Sequence, residues 1–149
     1  MPSFRSTLIR GAMLGYASGI LSQAGIATVL ERTPGAQLPG IVRNPWVKRL
    51  AGINAVGEVA ANAFVTSLPA RTSAGPLAGR IALGALAGGL ATRGDHSSGL
   101  AGAMAGAAVA PLGAWVSTTS RARLAFLVPD KLLALVETVV AFGLARKAT

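Results

Sequence analysis

The chain has 149 residues, of which 52% are hydrophobic and only 13% charged, with 19 glycines and no cysteine. A water-soluble domain of this length carries about a quarter of its residues charged, so composition argues for a single helical domain solvated by lipid. The lack of cysteine excludes disulfides, thiol nucleophiles and thiolate metal sites. A formal charge of +9 would suit nucleic acid. The basic residues, however, stand at the ends of apolar blocks: Arg10, Lys48 with Arg49, Arg80, Arg93, Arg121 with Arg123, and Arg146 with Lys147. Cations placed this way meet anionic lipid headgroups and fix helix ends, and nucleic acid is not an expected partner.

Residues 1–10 are basic and the first acid is Glu31, as in a targeting leader. The apolar run 11–30 is longer than the roughly 7–15 residues of a leader core, and it predicts a retained first helix. Three prolines, Pro34, Pro39 and Pro45, make 31–49 a loop. Trp46, beside Lys48 and Arg49, reads as an interface anchor ahead of a second helix over 50–68. A loop over 69–75 leads to a third helix at 76–92, whose uncharged part, 81–92, is short. It crosses a membrane only if Arg80 snorkels, and is otherwise re-entrant or interfacial. Gly94, Asp95 and His96 form a tight turn, with His96 read as a solvated surface residue. A fourth helix over 97–119 contains Pro111, where a kink is expected. A fifth runs over 129–145 with Asp130 in its first turn. The predicted fold is an all-α polytopic membrane bundle of four to five helices, located in the cell (inner) membrane.

Five crossings would set Arg5, Arg10, Arg71, Arg80, Arg121, Arg123 and Lys131 on one side and the other seven cations on the opposite side. That even split gives no orientation by the positive-inside rule.

Small residues recur at intervals of four: Gly11, Gly15 and Gly19 in the first helix, Gly84 and Gly88 in the third, Gly102 and Gly106 in the fourth. Positions four apart share a helix face. In lipid, where no hydrophobic effect joins helices, smooth faces allow the close contact that does. The run Gly11-Ala12-Met13-Leu14-Gly15 echoes Gly102-Ala103-Met104-Ala105-Gly106. Each of these helices precedes one bearing an acid, Glu58 and Glu137, and an odd helix between the pairs would relate them as an inverted repeat.

The second helix carries Asn54, Glu58, Asn62 and Thr66, again four apart. An acid at mid-membrane costs about 2.5–3.5 kcal/mol and therefore faces protein or water. Two readings stand: a neutral Glu58 bonded to Gln23 or to nearby backbone as packing glue, and a transport or ligand stripe. Glu137 must also face inward, and a facing Glu58/Glu137 pair could share a proton. Tyr16 and Trp115 read as packing or interface residues. No phosphate-binding loop, metal-spaced cluster or nucleophile–base pair occurs, so neither enzyme activity nor a cofactor or metal is expected.

Three segments carry a family resemblance. Ser18-Gly19-Ile20-Leu21-Ser22, Gly57-Glu58-Val59-Ala60-Ala61-Asn62, and Pro69-Ala70-Arg71-Thr72 with Gly75-Pro76-Leu77-Ala78-Gly79-Arg80 make residues 11–80 resemble the bacterial membrane proteins catalogued as domain of unknown function 4126. Leu21 stands where that family has arginine, and Asn62-Ala63 where it has an Asp-Lys pair. The resemblance implies a bacterial membrane bundle and lends no activity. The eroded charge set favours a structural, assembly or accessory subunit that forms a homo-oligomer or docks on other membrane subunits through its glycine faces. The alternative is a small oligomeric transporter or channel using the stripe around Glu58.

Overall fold

The computed structural model describes residues 3–64, 70–94 and 99–149, and every regular element among them is helical. Helix α1 spans Phe4–Ile20, and the hydroxyl of its N-cap Ser3 accepts the Ser6 amide. The predicted helix 11–30 does not run through. At Leu21 the backbone is extended, with φ −128° and ψ 118°, and a new helix, α2, spans Ala24–Arg32. It doubles back along α1: a Cβ added to Gly25 would stand 3.0 Å from the Leu14 carbonyl oxygen and against the Ser18 hydroxyl. In one straight helix Leu14 and Gly25 would be about 16 Å apart. The first predicted helix is therefore a helical hairpin with its tip at 21–23.

The predicted loop 31–49 holds a 3-10 turn, Gly35–Gln37, and the one-turn helix α3, Gly40–Arg43. Helix α4, Pro45–Phe64, begins earlier than expected, because proline suits a first helical position. Helix α5, Ala74–Ala91, is a full 18 residues rather than a short piece, with Pro76 in its first turn. Helix α6, Gly99–Leu124, passes through Pro111, and α7 spans Asp130–Ala148. Thr66, the expected end of the second helix, the turn at Asp95 and His96, and the expected start of the fourth helix lie outside the described residues.

The centre is a seam of glycines shared by α1, α5 and α6. A Cβ on Gly11 would meet Gly102 Cα at 2.8 Å, on Gly15 Gly106 Cα at 2.7 Å, and on Gly19 Gly113 Cα at 2.8 Å. Because these pairs ascend together, α1 and α6 run parallel. Gly84 faces Gly106 and Gly88 faces Gly102, so α5 runs antiparallel to both. The echoed motifs thus lie side by side in the same direction, and the inverted relation expected for them does not hold. The return of the chain through α2 changes the parity of the elements between them. The glycine faces are also consumed within the chain and are not free to dock a partner.

Around this seam, α4 runs antiparallel to α2, with Ala51 packed near Leu30 and Glu58 at the hairpin tip. Helix α7 runs antiparallel to α4, with Val59 and Phe142 packed against one buried cluster at Leu21 and Ala24 and Glu137 bonded to Asn62. Arg10 donates to the carbonyls of Ala91 and Ala148, at 2.7 and 2.8 Å. It therefore ties the start of α1 to the ends of α5 and α7, where carbonyls lack helical partners.

Helices α5 and α6 are long and apolar enough to cross a membrane, and only 22% and 28% of their apolar windows are buried. A soluble core helix hides such a face, whereas here Leu86, Met104, Leu112 and Trp115 point outward. The seam makes a prediction. Gly106→Leu should destabilise the purified protein by about 3 kcal/mol or more, because backbone on two neighbours cannot yield as side chains do. Gly143→Leu, with nothing within 4 Å of its added Cβ, should stay within about 0.5 kcal/mol. Unfolding titrations in detergent provide the check.

Candidate functional site: a capped hairpin tip

A helix that stops leaves its last carbonyls and the next helix's first amides without partners. At the hairpin tip two side chains from other helices supply them. Glu58 of α4 accepts the Ser22 amide on one carboxylate oxygen at 2.7 Å and the Gln23 amide on the other at 2.8 Å. Arg80 of α5 donates from Nε to the Gly19 carbonyl at 3.1 Å and from Nη1 to the Pro76 carbonyl of its own helix at 3.2 Å. Its Nη2 lies 3.5 Å from Glu58 Oε1, and the two side chains are only 11% and 20% exposed. An anion at the start of α2 and a cation at the end of α1 also match the sign of the helix dipoles.

A second polar layer lies one helical turn along α4. Arg71 donates to Glu137 through both terminal nitrogens, at 3.0 and 2.7 Å, and to Asn62 Oδ1 at 2.5 Å. Arg121 donates to the same Asn62 oxygen at 2.7 Å, while its Nε stands 3.1 Å from Asp130 Oδ1. Ser117 accepts from Arg71 and donates to Glu137. The Arg71 and Glu137 side chains are 11% and 12% exposed. One forked guanidinium, that of Arg71 just ahead of α5, grips the Glu137 carboxylate, while Arg121 of α6 stands 3.7 Å from the same carboxylate and bonds Asn62, so the layer ties α4, α6 and α7 together.

Several expectations change at this point. Glu58 meets Gln23 through that residue's backbone amide, and both carboxylate oxygens accept backbone amides of the hairpin tip. Glu58 and Glu137 do not face each other to share a proton, because each is held by its own arginines. Asn62 joins the second layer, whereas Asn54 is exposed on α4 and belongs to neither layer. Arg80 and Arg121, expected as membrane flanks, point inward; Arg71 was expected only as a cation of one side and part of the family-like segment, and Ser117 carried no expectation. A signal existed: Arg80 continues the spacing of Gly84 and Gly88, and Arg121 follows the buried positions Gly106, Ala110, Ala114 and Ser117 at steps of three or four.

Both oxygens of the Glu58 carboxylate are thus taken up by backbone amides. Among the described residues no group of three His, Cys, Asp or Glu side chains could hold a metal ion. No family model, curated protein or solved structure matches this chain.

The cap is testable without removing bulk. Glu58→Gln leaves one amide facing an NH2 group, and should destabilise the protein by about 1–3 kcal/mol. Hydrogen exchange at the Ser22 and Gln23 amides should accelerate selectively. Asn54→Ala should leave both quantities unchanged.

Proposed function

We propose that the chain is a multi-pass membrane protein with a structural role, an assembly or accessory subunit of a complex in the cell (inner) membrane. The observation that carries this reading is the use made of its polar groups. Glu58, Asn62 and Glu137 are all engaged in bracing helices, and none of them lines the cavity beside α4. What the bundle offers outward is apolar side chain, together with the open glycines Gly75 and Gly79 on α5 and Gly52 and Gly57 on α4. Faces of that kind suit lipid and neighbouring membrane helices. The resemblance of residues 11–80 to a bacterial membrane family agrees with the location, and the segments that carry it include Glu58, Asn62, Arg71 and Arg80.

In this reading α4 to α7 cross the bilayer, while α1 and α2 enter and leave on one side as a re-entrant hairpin. Backbone that turns at depth is tolerated only where protein satisfies it, as Glu58 and Arg80 do here. The hairpin also supports one orientation. Nine cations now share the end that carries both chain termini: Arg5 and Arg10, Arg32, Arg43, Lys48 and Arg49, Arg93, and Arg146 with Lys147. At the opposite end Arg71, Arg80 and Arg121 are paired inside the bundle, leaving Arg123 and Lys131. By the positive-inside rule both termini face the cytoplasm.

A transporter or channel is the second reading, favoured by the broken α1–α2 element, since discontinuous helices build many transport sites. Flux in reconstituted vesicles that disappears in Glu58→Gln would favour it. The primary test is extraction in mild detergent, followed by the mass and composition of the particle. A stoichiometric complex with other membrane proteins is the expected result, and a lone homo-oligomer with cation or proton flux would overturn it. Topology is testable because the chain has no native cysteine. Single cysteines at Ser3, Ala36 and Thr149 should react with an impermeant reagent only from the cytoplasmic side, and one at Ala125 only from the other side. Opposite labelling of Ser3 and Thr149 would restore the five-crossing arrangement.

A further inference from the structure

Helices α2, α4 and α7 border a cavity of about 590 Å³. It exists because α2 has only nine residues and α4 presents small residues to it. Nothing lies within 4 Å of a Cβ added at Gly52. The body of the cavity is apolar, formed by Ala27, Gly52, Ala55, Val56, Val59 and Phe142, and its remaining lining residues are Glu31, Lys48 and Arg49. Since Gly52 and Val56 are exposed, the cavity is a groove open to the outside of the bundle. From Lys48 to Val59 it follows α4 for about 16 Å, from the cation-rich end of the bundle to the layer of Glu58. Its volume falls within the roughly 300–1,000 Å³ of small-molecule sites.

The charged groups occur at one end only. Arg49 lies 5.2 Å over the ring of Trp46, which orients its guanidinium where a tryptophan marks the headgroup level. Among the described residues neither Lys48 nor Glu31 has an ion-pair partner. Two cations and one carboxylate beside an apolar trough match a molecule with a hydrocarbon tail, a phosphate and an ammonium. A purely anionic headgroup would satisfy the cations but stand against Glu31.

We propose that this groove is a binding site for a zwitterionic aminophospholipid, its acyl chain along α4, its phosphate on Lys48 and Arg49, and its ammonium on Glu31. The site rests on the membrane reading above. It goes beyond that reading by naming a ligand and the residues that select it.

The test uses the full-length protein purified in mild detergent and native mass spectrometry of the phospholipid it retains. Titration follows with phosphatidylethanolamine and with phosphatidylglycerol in mixed micelles. The native protein should retain phosphatidylethanolamine in preference to phosphatidylglycerol. The double variant Lys48→Gln/Arg49→Gln should lose at least tenfold in retention. Gly52→Leu, which fills the groove from an open position, should lose as much with an unchanged thermal transition. Glu31→Gln should move the preference toward phosphatidylglycerol. Equal retention by native protein, the double variant and Gly52→Leu would overturn the site, as would a native preference for phosphatidylglycerol. Carbonate-resistant membrane fractionation separates the two claims. Native protein in the membrane but without retained lipid overturns the groove alone, and native protein in the soluble fraction overturns the membrane reading and the groove with it.

Discussion

The constraint on which the rest of the structure depends is the end of a helix inside the bundle. The chain stops at Ile20, turns through 21–23 and starts again at Ala24. Each amide or carbonyl left bare in an apolar interior costs about 1–3 kcal/mol, so the turn can exist only with partners supplied from elsewhere. Glu58 takes the two amides and Arg80 takes the Gly19 carbonyl. The two side chains in turn neutralise each other, which relieves the larger cost of burying either charge alone. Replacing only one partner leaves the other stranded, so the cap behaves as a unit rather than as two independent bonds.

From that turn the remaining geometry follows. Because α2 returns beside α1, the start of α1 lies with the ends of α5 and α7, where Arg10 binds them together. The same reversal makes α1 parallel to α6, and parallel register brings Gly11, Gly15 and Gly19 onto Gly102, Gly106 and Gly113. It also gathers most of the chain's cations at one end. The shortness of α2 leaves the groove beside α4. A hairpin of nine residues on its returning arm cannot cover the neighbour that a full crossing helix would cover.

Much of this was legible in the sequence. Glycines at steps of four located the seam because that spacing has only one geometric meaning on a helix. Glu58 stood out because an acid in an apolar helix must have a reason. The hairpin itself was not legible. Leu21-Ser22-Gln23 contains neither proline nor glycine, and no residue there needs a positive φ, so no local stop signal exists. The instruction to stop lies 36 residues away at Glu58 and 61 away at Arg80. Reading 11–30 as one helix set the wrong parity for the helices that follow, which is why the echoed motifs were expected to be inverted. The inward arginines were missed for a different reason. An arginine at the end of an apolar block looks the same from outside whether it reaches headgroups or folds back onto a carbonyl. Only its register with the small-residue face distinguishes the two, and Arg80 and Arg121 both keep that register.

The reversal at 21–23 is the claim to measure directly, by pulsed dipolar spectroscopy between spin labels on Arg5→Cys and Arg32→Cys in the otherwise cysteine-free chain. Both positions are exposed. A continuous helix would separate them by about 40 Å. The hairpin brings them to less than about 25 Å, including the packing distance between adjacent helices. A short, narrow distance distribution in native protein, broadened by Glu58→Gln, is the predicted result. A peak near 40 Å would contradict the hairpin, and with it the cap, the parity and the orientation built on it.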